Sequence, residues 1–230
     1  MRNYLESVCI LGAGRMGSAI AALLPSNVKI YQYSRLDANN LESFTKDLQR
    51  CDGVIDISHI NNIDPALKAC LNFKKPYLCC TTGLEESHFN TLKTAAKSLP
   101  VLYAANTSFG IAVLKKAVAI VAKSLGQDTD ITISETHHNL KKDAPSGTAL
   151  ELGKVIAQAG HPKNLINYAS LRGGNVVGEH TVHFFHEDEI IRLSHECLNR
   201  DVFAKGAIKA ANWLFKQQPG FYGLNDMLEL

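Results

Sequence analysis

Residues 8–17 read Val8-Cys9-Ile10-Leu11-Gly12-Ala13-Gly14-Arg15-Met16-Gly17, an apolar run that stops on a G-x-G-x-x-G spacing. The apolar residues ahead of the glycines suit a buried strand, and residues 18–24 after them suit a helix. In that strand-turn-helix setting the spacing is a dinucleotide fingerprint. Backbone amides at a helix start must approach a pyrophosphate closely, and a Cβ at the first two glycines would intervene. The competing reading is a tight turn whose glycines only let helix and sheet pack.

The same rhythm continues outward. Apolar runs at 28–33, 53–57, 77–80 and 101–104 alternate with amphipathic stretches at 41–48, 65–71 and 87–99. Alternation at this spacing predicts a Rossmann-like α/β domain, a doubly wound parallel sheet over residues 1–108. Pro25, Pro65, Pro76 and Pro100 are expected at its joints. From residue 109 the texture changes to a second, α+β domain over 109–201. It has helices at 111–125 and 148–159, a strand at 131–135 and β-like stretches at 168–172, 179–186 and 190–197. The last two alternate with period two around Glu187-Asp188-Glu189, so an antiparallel or mixed sheet is expected. Residues 203–216 read as a final helix closed by Pro219-Gly220.

Composition narrows the function. The 230 residues are 46% hydrophobic and 20% charged, and 24 Lys and Arg against 22 Asp and Glu leave a net charge of +2. No one-sided basic charge is present to collect nucleic acid or anionic lipid, so a small-molecule partner is expected. The richest apolar stretch, 111–125, is interrupted by Lys115, Lys116 and Lys123 and falls short of the roughly 20 residues of a membrane span. Residues 1–6 lead into the first strand without a leader pattern, and six cysteines (Cys9, Cys51, Cys70, Cys79, Cys80, Cys197) lie scattered without a C-x-x-C. Both point to reduced thiols in a cytoplasmic protein.

The second strand ends Tyr33-Ser34-Arg35, with no carboxylate before Asp37. A Ser and an Arg there can receive a 2′-phosphate, so NADPH is expected to bind at least as well as NADH, although Arg35 also reads as a solvated strand end. Thr81-Thr82-Gly83 and Asn106-Thr107-Ser108 follow later strands, where hydroxyls and amides would reach a ribose or nicotinamide; each loop reads equally as a helix cap.

The densest polar stretch is Glu135-Thr136-His137-His138-Asn139-Leu140-Lys141-Lys142-Asp143-Ala144-Pro145-Ser146-Gly147-Thr148. It leaves a strand and enters a helix, so free amides and two hydroxyls meet two imidazoles and two ammonium groups. Such a set binds carboxylates and moves a proton near neutral pH. The plainer reading has Ser146 or Thr148 only capping the helix.

The run His137-His138-x-x-Lys141-x-Asp143-Ala144-Pro145-Ser146-Gly147-Thr148-Ala149 resembles the signature of the 4-hydroxy-tetrahydrodipicolinate (dihydrodipicolinate) reductase family. So do, in order, residues 14–17, Thr81-Thr82-Gly83, Ala105-Asn106-x-Ser108-x-Gly110, Arg172-x-Gly174, Val177-Gly178-Glu179-His180-Thr181, Phe203-Ala204-x-Gly206-Ala207 and Trp213-Leu214. The resemblance spans essentially the whole chain. It implies His137 as general acid/base, Lys141 as a second proton donor, and His138, Gly147 and Thr148, with Ser146 at the same helix start, around the substrate dicarboxylate. It also implies that Gly12, Ala13, Gly14, Arg15, Met16, Ser34, Arg35, Cys80, Thr81, Thr82, Ala104, Ala105, Asn106 and Thr107 line the cofactor. The implied activity is NAD(P)H-dependent reduction of 4-hydroxy-tetrahydrodipicolinate in the diaminopimelate route to lysine. A homotetramer built on the second domain's sheet is implied too, as is a first domain rejoined by residues 202–230.

The chain departs from the family pattern in a glycine turn one residue short, in Ser34 where many members carry an acid, in Cys80 for a Gly, and in a shortened stretch between Arg35 and Asp52. The competing readings are a reductase of amino-acid semialdehydes, a nicotinamide-sensing protein without turnover, a metal site at His180, His183 and His186, and a serine-hydrolase elbow at Ser108-x-Gly110, which fails because Asn106 stands where the first Gly of G-x-S-x-G belongs. Period-two geometry turns His183 away from the other two, and His180 is expected to serve the sheet or an assembly interface.

Overall fold

The structure is a computed structural model that describes residues 5–37 and 39–228; residues 1–4, which carry most of the leaderless start read from sequence, lie outside these. The chain divides into two compact units, Met1–Thr107 with Asp201–Leu230, and Ser108–Arg200.

In the first unit the chain runs β1 (Ser7–Leu11), α1 (Arg15–Leu23), β2 (Lys29–Tyr33), α2 (Leu41–Leu48), β3 (Val54–Asp56), α3 (Ile63–Phe73), β4 (Tyr77–Cys79), α4 (Glu86–Ala95) and β5 (Pro100–Tyr103). Alternate residues explain the layers. Cys9, Leu11, Val54, Tyr77, Cys79 and Val101 form one core with Phe44 and Leu48 of α2, Ile63, Leu67 and Cys70 of α3, and Leu92 of α4. Val8, Ile10, Ile55, Leu78 and Leu102 have the opposite parity and are equally buried, as strands covered on both faces must be. Each such side chain contributes about 1.5–3 kcal/mol relative to exposure. Pro100 opens β5, but Pro65 lies in the first turn of α3 rather than at a joint. A missing N–H is harmless there, because first-turn amides have no intrahelical partner.

The second unit comprises α5 (Phe109–Leu125), β6 (Asp130–His137), α6 (Gly147–Gln158), β7 (Ile166–Arg172), β8 (Glu179–His186) and β9 (Glu189–Glu196). Its sheet has the order β7-β6-β8-β9. β8 pairs antiparallel with β6 and β9, but β7 pairs parallel with β6, so the sheet is mixed. The parallel pair follows from α6, which carries the chain across between the two strands. Ile131, Ile133, Ile166, Val182 and Phe184 pack on Ile111, Leu114 and Val118 of α5 and on Ala149, Leu152 and Ile156 of α6. The other face leaves Leu171 63%, Phe185 40% and Ile190 45% exposed.

The chain then returns to the first unit through α7 (Asp201–Leu214), which packs on α1 and on strands β3 to β5. It ends in β10 (Gly220–Tyr222), which adds to the sheet edge beside β5 and completes the parallel order β10-β5-β4-β3-β1-β2. The pair Pro219-Gly220 therefore introduces a strand as well as closing a helix. Three residues are too few to display an alternation of their own. The order reverses at β1, so the crevice outside the carboxyl ends of β1 and β3 is where a doubly wound sheet takes its ligand. Among the described residues no helix is long and apolar enough to cross a membrane, and all six cysteines are buried and free.

Candidate functional site

Each unit carries part of the predicted site. In the first, Gly12 has φ +113°, and a Cβ there would lie 2.6 Å from the Ile57 carbonyl oxygen. That position is closed to other residues by both conformation and space. Gln32 Nε2 donates to the Gly12 carbonyl at 3.0 Å and the Gly12 amide donates to the Tyr33 carbonyl at 2.7 Å, fixing the turn between β1 and β2. Gly14 is the N-cap of α1 and supplies no side-chain cap; the first turn holds no acidic residue, and a Cβ on Gly14 would meet nothing within 4 Å. An uncapped helix start with open space above it fits a phosphate. Ala13, Gly14 and Arg15 are exposed and Met16 is half-buried.

A buried carboxylate ties the neighbouring loops together. Asp56, at the end of β3, is fully buried and accepts from the Ser58 amide (3.0 Å), the Ser58 hydroxyl (2.6 Å), the Thr81 hydroxyl (3.1 Å) and the Tyr77 hydroxyl. Burial pushes its pKa up against these bonds. The Ser58 hydroxyl also accepts from Asn62 Nδ2 at 2.8 Å, and Asn62 Oδ1 accepts from the Leu36 amide at 2.9 Å. The network thus reaches the loop that presents Ser34 and Arg35, both exposed at the end of β2.

The hydroxyls of Thr81 and Thr107, open from sequence to a ligand or to a capping role, are engaged with protein groups. Thr81 is bound to Asp56 and to the Ser58 amide, and Thr107 donates to the Phe203 carbonyl at 2.6 Å. Thr82 is exposed, Ala105 and Asn106 are half-buried, and Ala104 is buried at 7%. The Cys80 side chain, which stands where the family pattern has a Gly, is buried at 4%, and burial pushes its thiol well up.

In the second unit, period two arranges the polar site. Ile131, Ile133, Glu135 and His137 share the covered face of β6, so an apolar row turns ionic at its carboxyl end. Across the sheet the register sets Ser170 and His180 beside Glu135 and Arg172 beside His137. Glu135 bonds His137 Nδ1 through Oε2, and Arg172 forks onto the same carboxylate, NH1 to Oε2 at 2.9 Å and NH2 to Oε1 at 2.7 Å. Burial raises the Glu135 pKa, but the bonds from Arg172, Ser170 and His137 outweigh it and hold the acid at about 2. Burial lowers the His137 pKa, with Glu135 opposing.

Arg172 NH2 also donates to the Asp143 carbonyl at 2.6 Å, and the Asp143 carboxylate pairs with Lys141 Nζ at 2.8 Å. One guanidinium therefore joins the histidine's carboxylate to the loop of the lysine. After a cis Ala144–Pro145 bond, Ser146 caps α6 by accepting from the Ala149 amide at 3.2 Å. Its hydroxyl also meets His180 Nε2 at 2.9 Å. Gly147 is exposed, and Thr148 is half-buried. His138 is half-buried, and its buried Nδ1 has no partner among the described residues, a polar atom that fits a bound ligand group.

His180, expected to serve the sheet or an interface, lies on the covered face of the sheet with its ring 5.1 Å from that of His137. Burial, then His137, lowers its pKa to about 4. His183 faces the other way, onto Ser134 at 2.9 Å. Glu135, Arg172 and His180 were not singled out as site residues from sequence. The period-two run 131-133-135-137 was a signal for Glu135; Arg172 and His180 depend on register.

Residues 6–107 match the family model described as dihydrodipicolinate reductase, N-terminus, and residues 110–228 that described as dihydrodipicolinate reductase, C-terminus. A 4-hydroxy-tetrahydrodipicolinate reductase of a Nitratiruptor species is 39% identical over 251 residues, covering 95% of this chain and 97% of that one. One of Zymomonas mobilis subsp. mobilis is 41% identical over 243 residues, covering 95% and 94%. Among solved structures, a dipicolinate-bound dihydrodipicolinate reductase from Paenisporosarcina sp. TG-14 shares the fold with TM-score 0.82 at 22% identity, covering 97% of this chain and 100% of that one. With both halves matched and relatives of this identity aligned along nearly their full length, the chain belongs to the dihydrodipicolinate reductase family.

Proposed function

We propose that this chain is a 4-hydroxy-tetrahydrodipicolinate reductase acting in the diaminopimelate route to lysine. The observation that carries the reading is the Glu135–His137 pair joined through Arg172 to the Lys141 loop, beside the start of α6, in a chain of this family. Nothing observed favours a semialdehyde reductase or a sensor without turnover.

When bound, a reduced nicotinamide would supply the hydride for ring carbon 4, whose reduction goes with loss of water. The protein's part is to hold a planar dicarboxylate and to place a proton. Gly147 and Thr148 at the start of α6, with His138 and Lys141, bind and neutralise the carboxylates, and Ser146 keeps that helix start in place. His137 delivers the proton to the carbon that becomes enamine-like. Its neutral resting form, favoured by burial, gains a proton more readily once two substrate carboxylates lie close by. Lys141 supports the developing charge as the second proton donor.

For the cofactor, Gly12, Ala13, Gly14, Arg15 and Met16 would hold the pyrophosphate. Cys80, Thr81, Thr82, Ala104, Ala105, Asn106 and Thr107 would line the nicotinamide half, Thr81 and Thr107 chiefly through backbone. Ser34 and Arg35 would receive a 2′-phosphate, which favours NADPH over NADH. Support comes from their exposure and from the Leu36–Asn62 bond that holds their loop. The open face of the second sheet, with Leu171, Phe185 and Ile190, supports a homotetramer, to be weighed by light scattering after gel filtration. The working compartment is the cytoplasm. Nicotinamide absorbance followed with and without freshly generated substrate tests the activity; oxidation only with substrate, and tighter binding of NADPH than NADH, is expected. No substrate-dependent oxidation removes the reading.

A further inference from the structure

His137 is faced by charge or titratable groups from every element around it: Glu135 on its own strand, Arg172 from β7, His180 from β8, and Lys141 with Asp143 from the following loop. Among the described residues only Glu135 bonds the ring, and it does so at Nδ1. The other ring nitrogen, Nε2, lies over Gly178, where an added Cβ would come within 2.9 Å. Glu135 is in turn held at both oxygens by Arg172, and the Arg172 guanidinium also carries the Asp143 carbonyl. A plain neutralising partner for a buried acid would need no third bond to a loop. Here that bond sets the backbone two residues after Lys141.

We propose that Glu135 and Arg172 are positioning residues for the proton transfer, an inference that rests on the reductase reading. Glu135 holds the imidazole with its proton on Nδ1 and leaves Nε2 to exchange a proton with substrate. Arg172 locks Glu135 in one rotamer and clamps the Lys141 loop to the same carboxylate, so that the two proton-handling side chains keep one mutual geometry. The carboxylate also favours the protonated imidazole, opposing the burial of the ring.

The test uses the full-length protein and the variants Glu135→Gln and Arg172→Lys. Glu135→Gln keeps the shape and an acceptor for Nδ1–H but removes the charge. Its kcat is expected to fall by about 10-fold or more, as when the carboxylate that orients a catalytic imidazole is made an amide, with KM little altered and NADPH affinity unchanged. An NMR titration of the His137 ring in the resting protein is expected to move to lower pH than in wild type, and the acid limb of kcat/KM moves with it. Arg172→Lys loses the fork and the hold on Asp143, so KM rises as kcat falls.

A His137 titration and a kcat equal to wild type in Glu135→Gln overturn the proposal, as does an Arg172→Lys enzyme with unaltered kcat and KM. Should Glu135→Gln be recovered unfolded, Arg172→Lys carries the decision on the same readouts. Because the ring titration needs no substrate, a wild type that fails to turn over would remove the reductase reading, and the titration would still decide what holds His137.

Discussion

Ser146 connects the helix start to the histidine row, so Ser146→Ala isolates how much of the site's stability rests on one hydroxyl. In the native unit Ser146 is 2% exposed, accepts from the Ala149 amide and meets His180 Nε2. Removing an N-cap of this kind costs about 1 kcal/mol. The second loss is larger, because His180 is 4% exposed and its Nδ1 has no partner among the described residues, so the variant leaves both nitrogens unpaired. Orphaning a buried polar atom costs about 1–3 kcal/mol, which brings the sum to about 2–4 kcal/mol. With a urea m-value of about 2–3 kcal/mol per molar, the midpoint should fall by about 1 M. Hydrogen exchange at the Ala149 amide should speed up in step. Ser146→Thr, which keeps the hydroxyl, should lose less than half as much. A loss below about 0.5 kcal/mol, the size of an ordinary surface substitution, would show that the Ser146 hydroxyl does not support the helix start and His180 in this way.

Stability should also fall in acid through two groups. His180 titrates near 4 when folded, so below its ordinary value of 6.5 the unfolded chain binds more protons; about 3 kcal/mol present above pH 6.5 is lost as the pH falls to 4. Glu135, held near 2, adds stability that is present above its ordinary value of 4.5 and is lost as the pH falls from there towards 2. Urea midpoints across this range, with the His180 ring followed by NMR, check both; a His180 titration near 6.5 would count against the first. Lys141→Ala should lower turnover and weaken substrate affinity together, since the ammonium touches charge in both ground and transition states; steady-state kinetics with an unchanged KM would place Lys141 outside the substrate site.

What could be read from the sequence was what is local. The glycine turn, the strand-helix rhythm of the first unit and the helix start at Ser146 each depend on neighbours within a turn or two. The matching family model and the fold shared with the solved reductase agree with that reading. The ionic cluster around His137 was only half legible. Parity on β6 points Glu135 inward, but Arg172 reaches it from a strand far along the chain, through a parallel register that spacing does not encode. The groups that His180 faces are hidden from a local reading for the same reason, since the pairing of β8 with β6 decides them. Thr81 and Thr107 mark the same limit from the other side. A hydroxyl after a strand looks available in sequence, whereas Asp56 and the Phe203 carbonyl engage these two once the chain is folded.

On the proposed function, His137 hands a proton to the substrate during reduction. That step is tested most directly by comparing His137→Gln with wild type on 4-hydroxy-tetrahydrodipicolinate, with NADPH affinity measured in parallel. A loss in kcat of about 100- to 10,000-fold, the usual worth of a general acid, with NADPH affinity unchanged, is predicted; turnover equal to wild type would contradict the account.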